Sequence, residues 1–300
     1  MQDHGDFQRF IAPDCDRRQF ILDMLKDFGV PAVPLSLEGA HHILVKFPPS
    51  AYNPQYKMKT VLAHYDRVDT SPGANDNSAA VFQIIYWARR LLRFPGFHNV
   101  QIIFSDGEEM GGSEGVLEQG AFGIATKFRS LGLTQQDVYA FDCCGRGDFV
   151  ILSQAGMGKG SIPFQRQFNS LVERTEDLIK SVAGRKWAPL PVPYSDNAGF
   201  LACGIPAVAI TLLPAQEVVS YLRELKQHPG LQAAIMKSSQ NQEVGARKIK
   251  PLEPYQVQEK MPMTWRLLHT EYDNLASLTP ESFPLMEALL DALAKARTPA

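Results

Sequence analysis

The feature of this sequence that most constrains its fold is the alternation of short apolar runs with segments of helical periodicity. Apolar runs predict buried strands over residues 42–47, 60–64, 100–105, 138–142 and 207–211. Helical patterns predict helices over residues 14–28, 78–92, 115–128, 163–182 and 280–297. Strands that alternate with helices in this way predict a sheet covered by helices on both faces.

Composition and charge exclude several classes of protein. The 300 residues, 45% of them apolar, can build one large core, and we expect residues 1–300 to form a single domain. A net charge of −2 gives no electrostatic reason to expect nucleic acid or an anionic membrane as partner. The sequence lacks an apolar run of about 18 residues and begins with polar and acidic residues, so neither a membrane-spanning helix nor a secretory signal is predicted. The four cysteines form no C-x-x-C pair, which favours a reduced, cytoplasmic setting.

Polar side chains follow three of the predicted strands. His64, the acidic segment that contains Glu108 and Glu109, and Asp142 each lie at or just beyond a carboxyl end. In open α/β sheets, ligands bind outside these ends. The sequence therefore predicts a functional site at one edge of the sheet.

The first two motifs of this site are AHYDRVD and SPGANDNSAAV. His64 and Asp66 lie two residues apart on one face of a strand, as a metal ligand and its hydrogen-bonded carboxylate would, although a purely structural pair fits too. Asp76 lies in a glycine-rich turn before a helix, where it could bind a metal or cap the helix.

The acidic motif FSDGEEMGGSEG places Asp106 beside Glu108 and Glu109. Carboxylates this close need a cation or shifted pKa values, although a solvated acidic loop is the ordinary alternative. Gly107, Gly111 and Gly112 indicate a defined backbone conformation and not a solvated loop. Two further candidates are Asp142, which could be an ordinary turn residue, and His269, which could be a packed histidine.

Six stretches carry a family resemblance: AHYDRV, SPGANDNSAAV, FSDGEEMGGSEG, FDCCG, SDNAGFLACGIPAV and HTEYDNL, spread over residues 61–275. On these stretches the chain resembles metallopeptidase family twenty-eight, the co-catalytic zinc exopeptidases that include bacterial leucyl aminopeptidases. The resemblance implies a three-layer α/β/α fold with a central mixed, mostly parallel sheet. It also implies a peptide substrate with a free amino end.

The resemblance further implies a site with two zinc ions per chain. His64 and Asp142 would bind one ion, Glu109 and His269 the other, Asp76 would bridge them, Asp66 would hold His64, and Glu108 would act as the general base on a bridging hydroxide. A donor set of imidazoles and carboxylates without a thiolate suits catalytic zinc.

Three alternative functions remain open, and three departures from the family pattern concern substrate specificity and not metal binding. A glutaminyl cyclase of the same fold typically has a Trp before the last His, where this chain has Leu268. A non-catalytic binding module generally loses ligands, and a carboxypeptidase would need a lid domain and an arginine that we do not identify. Cys143 and Cys144 follow Asp142, Asn197 replaces a frequent His, and residues 213–267 carry no family motif.

One further pattern bears on the substrate pocket. Apolar residues alternate in MPMTWRL, residues 261–267, which predicts an extended strand with Trp265 and its apolar neighbours on one face. Such a strand could form a wall of the substrate pocket or part of the core.

Overall fold

The computed structural model describes residues 4–110, 115–236 and 253–300, and within them eight strands form one mixed sheet of order β1-β2-β4-β3-β5-β8-β6-β7. The strands are β1 (Ala32–Leu37), β2 (Ala40–Val45), β3 (Lys59–His64), β4 (Val100–Ser105), β5 (Asp137–Phe141), β6 (Phe149–Ser153), β7 (Trp187–Leu190) and β8 (Ala207–Leu213). The described helices are α1 (His4–Phe10), α2 (Arg17–Asp27), α3 (Ala79–Leu91), α4 (Gly120–Ser130), α5 (Ile162–Ala183), α6 (Asn197–Ala202), α7 (Ala215–Gln227), α8 (Gly230–Ile235), α9 (Pro254–Lys260), α10 (Met263–Leu267) and α11 (Ser282–Lys295).

The middle of the sheet is parallel. Strand β3 pairs in parallel with β4 and β5, and β5 pairs in parallel with β8. Parallel strands need a crossover connection: α3 joins β3 to its neighbour β4, and α4 joins β4 to β5, which pairs with β3 on the other side. The carboxyl ends of these four strands therefore meet at one edge of the sheet.

Helices cover both faces of the sheet, as the alternation along β3 demonstrates. Val61 and Ala63 belong to the larger core cluster, with residues of α1, α2, α3, α5 and α11, whereas Leu62 belongs to the cluster formed with α4 and α6. Successive side chains of a strand point to opposite faces. The predicted α/β fold with a mixed sheet and flanking helices is confirmed, while the prediction of a single domain over residues 1–300 stays a prediction.

The predicted strands agree with the structure to within two residues, but two predicted helices begin later than expected. The helix expected over residues 14–28 begins at Arg17, because Asp16 is its N-cap. Residues 115–128 were expected to be helical, but Val116–Glu118 form a 3-10 turn, Gln119 is extended, and the helix begins at Gly120. A Cβ atom on Gly120 would lie 1.8 Å from the carbonyl oxygen of Asp106, so only glycine allows this close approach.

The prediction of an extended strand over residues 261–267 is wrong. Met263–Leu267 is a short helix with Pro262 as its N-cap, and proline disfavours the predicted strand because it cannot donate a backbone hydrogen bond. Trp265 is buried against Tyr221, with ring centroids 5.2 Å apart, whereas Met263 is 48% exposed. The apolar residues therefore do not share one face.

Two predictions lie partly or wholly outside the described residues: the role of Gly111 and Gly112, and the middle of residues 213–267. Within the described ranges, no helix has the length and apolar character needed to cross a membrane.

Candidate metal centre

The candidate site lies where the parallel strands end. His64 is the last residue of β3, Glu108 and Glu109 lie in the turn after β4, and Asp142 directly follows β5. Two further segments reach this edge of the sheet. Asp76 lies in the tight turn before α3, and His269 comes two residues after the end of α10.

Asp76 lies at the centre of the cluster. Its Oδ1 atom is 3.3 Å from Nε2 of His64, and its Oδ2 atom is 3.4 Å from Nε2 of His269. The two oxygens of one carboxylate thus face two imidazoles that come from opposite ends of the sequence.

Two groups of potential ligands share this carboxylate. The first joins Asp76 to His64 and Asp142, and the second joins it to Glu109 and His269, with the ligand atoms of each group within 4.8 Å of one another. Nε2 of His64 lies 3.6 Å from Oδ1 of Asp142, and Nε2 of His269 lies 2.9 Å from Oε2 of Glu109. The structure brings the five predicted ligands together in the predicted halves, and their roles as ligands stay predictions.

Asp66 contacts both halves. Its Oδ1 atom lies 3.5 Å from Nδ1 of His64, on the side of the ring opposite to Asp76, and its Oδ2 atom accepts a hydrogen bond of 3.0 Å from the backbone N–H of Glu109. The carboxylate can therefore fix the orientation of the His64 ring and the start of the Glu109 segment together.

Glu108 is half-buried beside the cluster. Its Oε1 atom accepts a 3.0 Å hydrogen bond from Nε2 of Gln119, a buried residue at the start of α4. Burial raises the pKa of Glu108 well above its usual value, and the negative charges of Asp142 and Asp196 raise it further. One oxygen is thus oriented while the carboxyl group holds a proton more readily than an exposed glutamate does.

The turn around Asp76 is held by contacts from distant segments. The backbone N–H groups of Asn75 and Asp76 donate to the two carboxylate oxygens of Asp273, at 2.8 and 3.0 Å. The guanidinium of Arg17 is buried and donates to the Oγ of Ser78 and to the carbonyls of loop residues after β3. Asp76 provides no side-chain cap for α3, so the capping alternative considered for this motif is not what the structure contains.

The charges of the cluster favour bound cations. The contacts with Asp76 and Glu109 raise the pKa of His269 to about 10. Burial of His64 opposes its protonation, but the contacts with Asp142, Asp66 and Asp76 outweigh burial and raise its pKa well above the usual value. A group of buried acidic side chains thus requires positive charge in its midst.

The donor atoms fit divalent metal ions. The ring nitrogens of the buried His64 face carboxylate oxygens at 3.3–3.6 Å, but among the described residues none of these contacts has the geometry of a hydrogen bond. Buried polar atoms without protein partners are typical of places that bind a water molecule or an ion. Imidazole and carboxylate donors without a thiolate suit zinc in a catalytic site.

His269 adopts an unusual backbone conformation. Its φ of 62° lies in the left-handed region, which costs free energy for any residue with a Cβ atom. Its side chain is 53% exposed, in contrast to the buried His64. The conformation turns the ring towards Asp76 and Glu109.

One acidic residue of the predicted cluster faces elsewhere, and several site residues were not predicted. Oδ2 of Asp106 accepts from the backbone N–H of His41 on β2. Asp196 is buried, accepts a hydrogen bond from Ser105, and has its pKa raised by burial to about 6. The only sequence feature that indicates a role of Asp273 in the site is its position four residues after His269. No sequence feature indicates such a role for Gln119 or Arg17, because their hydrogen-bond partners are remote in sequence.

Comparisons with known proteins identify relatives by sequence and by fold. The family model of peptidase family M28 matches residues 42–294. No curated protein sequence matches the chain. Similar solved structures include the LapA aminopeptidase of Legionella pneumophila, at 14% identity and a TM-score of 0.60, over 96% of this chain and 69% of that one. A leucine aminopeptidase precursor of Bacteroides thetaiotaomicron aligns at 14% identity and a TM-score of 0.60, over 97% of this chain and 93% of its own. The zinc aminopeptidase BSAP of Bacillus subtilis aligns at 18% identity and a TM-score of 0.53, over 86% of this chain and 50% of its own. At these identities the likeness concerns the fold alone.

Proposed function

The chain belongs to peptidase family M28, and we propose that it is an aminopeptidase that uses two zinc ions to remove residues from the free amino end of peptides. The match over residues 42–294 confirms the family resemblance of the sequence. The observation that carries the proposal is the carboxylate of Asp76, whose two oxygens face His64 and His269 separately. The aminopeptidases of similar fold support the same function.

We propose that each half of the cluster holds one zinc ion. His64 and Asp142 would hold one ion, Glu109 and His269 would hold the other, and Asp76 would contribute one carboxylate oxygen to each half. Zinc bound there would supply Lewis acidity and would lower the pKa of a water molecule. Asp66 fixes the His64 ring from its other nitrogen.

Glu108 is the proposed general base. Its carboxylate lies within 4.8 Å of potential ligand atoms of His64 and Glu109, but neither of the two halves that share Asp76 needs it, and we therefore assign it to proton transfer. It accepts the proton of the attacking water and delivers it to the amine that leaves the scissile bond. The hydrogen bond from Gln119 to Oε1 holds the side chain in one orientation.

The proposed substrate has a free α-amino group. The scissile carbonyl must lie next to the metal pair, and the amine of an N-terminal residue is only two bonds away. That amine would therefore come close to Asp76 and Glu109. There a neutral amine could bind a metal ion, and a protonated amine could form an ion pair with a carboxylate. An acetyl group removes this interaction and adds bulk.

A paired assay tests this proposal together with metal analysis. We expect two zinc ions per chain and hydrolysis of a leucine anilide, with kcat/KM for the acetylated anilide lower by about 10²–10⁴-fold. Equal cleavage of both anilides would indicate an endopeptidase or esterase. Cyclisation of an N-terminal glutamine peptide without hydrolysis of the anilide would identify a glutaminyl cyclase instead.

A further inference from the structure

We propose that Asp273 couples the two halves of the metal centre, so that binding of one metal ion prepares the site of the other. This inference rests on the proposed two-metal function. Asp273 is not one of the proposed ligands. It acts through the backbone of the two turns that carry Asp76 and His269, and is therefore a positioning residue.

Asp273 accepts the hydrogen bonds of three consecutive backbone amides in the first turn, which Arg17 contacts as well. The backbone N–H of Ala74 donates to the carbonyl of Asp273 at 3.0 Å, and those of Asn75 and Asp76 donate to its two carboxylate oxygens. Three successive amides of the turn thus find their acceptors on Asp273, which is completely buried. The position of the bridging carboxylate depends on these bonds.

The second turn begins at His269 and contains Asp273 itself. The backbone N–H of Asp273 donates to the carbonyl of Thr270 at 3.1 Å, which closes the turn four residues after the histidine. Its Oδ1 atom also lies 3.3 Å from the hydroxyl of Ser277, which anchors the carboxylate on the following segment. A shift of His269 therefore moves the acceptors of the Asp76 turn.

The arrangement predicts a thermodynamic link between the metal sites. A metal ion bound by Glu109 and His269 fixes the second turn, and Asp273 transmits this order to Asp76, which is shared with the other half. The first metal ion to bind orders both turns. The second ion then binds without the entropic cost of ordering them, which gives positive cooperativity. An aspartate that merely stabilised the fold would not affect metal affinity selectively.

The test compares metal binding in Asp273→Asn with that in the unchanged protein. Asparagine is nearly isosteric, but its amide group turns an N–H donor towards one of the two backbone N–H donors. We expect zinc affinity, measured by titrating chelator-treated protein against a competing chelator, to fall by about 10–100-fold, as for other partners of metal ligands. We also expect the two binding steps to lose their cooperativity.

Asp137→Asn is the matched control. Asp137 is a buried carboxylate that accepts two hydrogen bonds of 2.8 Å from Arg174, and it lies at the amino end of β5, on the edge of the sheet opposite to Asp142. Its substitution should lower thermal stability and leave both zinc affinities unchanged. If the Asp273→Asn protein folds and binds two zinc ions with unchanged affinity and cooperativity, the coupling role is wrong.

A second measurement needs no variant. With one equivalent of zinc added to the metal-free chain, hydrogen exchange should slow together at the amides of Asn75 and Asp76 and over residues 269–273. Protection of only one of these turns would overturn the coupling. Failure of the unchanged protein to bind two zinc ions would contradict the proposed function itself, which separates the two outcomes.

Discussion

At the scale of single residues, Glu108 and Glu109 illustrate how neighbours in sequence acquire different environments. Glu109 points one oxygen at His269, at 2.9 Å, whereas Glu108 is contacted by the amide of Gln119. A ligand shares its charge with a metal ion, but a general base must release and regain a proton. The two positions are suited to these separate tasks.

Glu108→Gln should retain zinc and lose activity. Glutamine has nearly the same shape but cannot accept a proton, and general-base catalysis contributes typically about 10²–10⁴-fold. We expect kcat for a leucine anilide to fall by that factor while metal content stays at that of the unchanged protein. Glu118→Gln changes an exposed glutamate of the same segment and should have little effect. A normal kcat in Glu108→Gln would assign the base to another residue.

At the scale of elements, the strand that delivers His64 begins with an unusual buried amine. Nζ of Lys59 donates to the carbonyls of Leu293 and Ala296, at 2.8 and 2.6 Å, and so satisfies the carboxyl end of α11. Burial, reinforced by the charge of Arg297, lowers the pKa of Lys59 to about 7. Strand β3 thus ties the last helix to the sheet at the edge opposite to the site.

This pKa shift predicts a pH dependence of stability. In the unfolded chain Lys59 keeps its proton up to about its ordinary pKa of 10.5, whereas in the folded chain it keeps the proton only up to about pH 7. Between pH 7 and pH 10.5, folding therefore releases one proton. The contribution of Lys59 to the free energy of unfolding is therefore greatest above pH 10.5 and is lost as the pH falls towards 7.

Urea denaturation at several pH values checks this prediction. Lys59→Met should remove a slope of up to about 1.4 kcal/mol per pH unit between pH 7 and 10. Substitution of the exposed Lys46 by Met should leave the slope intact. Parallel pH profiles for the Lys59→Met and unchanged proteins would show that the amine is not titrating in this range.

The elements also indicate which parts of the fold a single sequence can predict. Central strands are fully buried and appear as continuous apolar runs, so their bounds were predicted closely. The edge strands β1 and β7 are interrupted by Pro34 and Pro189, which weakens the strand pattern, and both were missed. The missed strand β6, FVILS, carries an apolar run as clear as those of the predicted strands.

The spatial grouping of the candidate site residues could be predicted to the extent that they lie at strand ends or in recognisable motifs. Contacts between segments that are remote in the sequence could not be predicted from strand ends or motifs. Arg17, for example, donates to the carbonyl of Tyr65, 48 residues away. The sequence of α10 alternates as a strand would, whereas in the structure Trp265 packs against Tyr221 of α7.

At the scale of the whole molecule, the candidate metal centre joins segments that span most of the chain, from His64 to His269. Bound metal would therefore stabilise the folded state as a whole, because the unfolded chain cannot present these donors together. At a free zinc concentration about 1,000 times the dissociation constant, the stabilisation is about 4 kcal/mol per site.

Removal of metal should accordingly lower the unfolding temperature. Calorimetry with and without a chelator measures this shift, and re-addition of zinc should reverse it. In the Asp142→Ala variant the shift should be smaller, because one half has lost a ligand. A chelator that left the melting temperature unchanged would indicate that metal does not link these segments in the folded protein.

With His269 in its proposed role as a metal ligand, its left-handed backbone implies that selection for activity and selection for stability oppose each other at this position. Glycine would relieve the strain but would abolish the imidazole, so laboratory evolution for heat resistance without an activity screen should tend to replace this histidine. In metal-free protein, His269→Gly should be more stable than His269→Ala by about 1 kcal/mol, since both lack the ring and only alanine retains the strain. Equal melting temperatures of these two variants would mean that the backbone relaxes freely. A lineage that had lost its catalytic role would be free to accept glycine here.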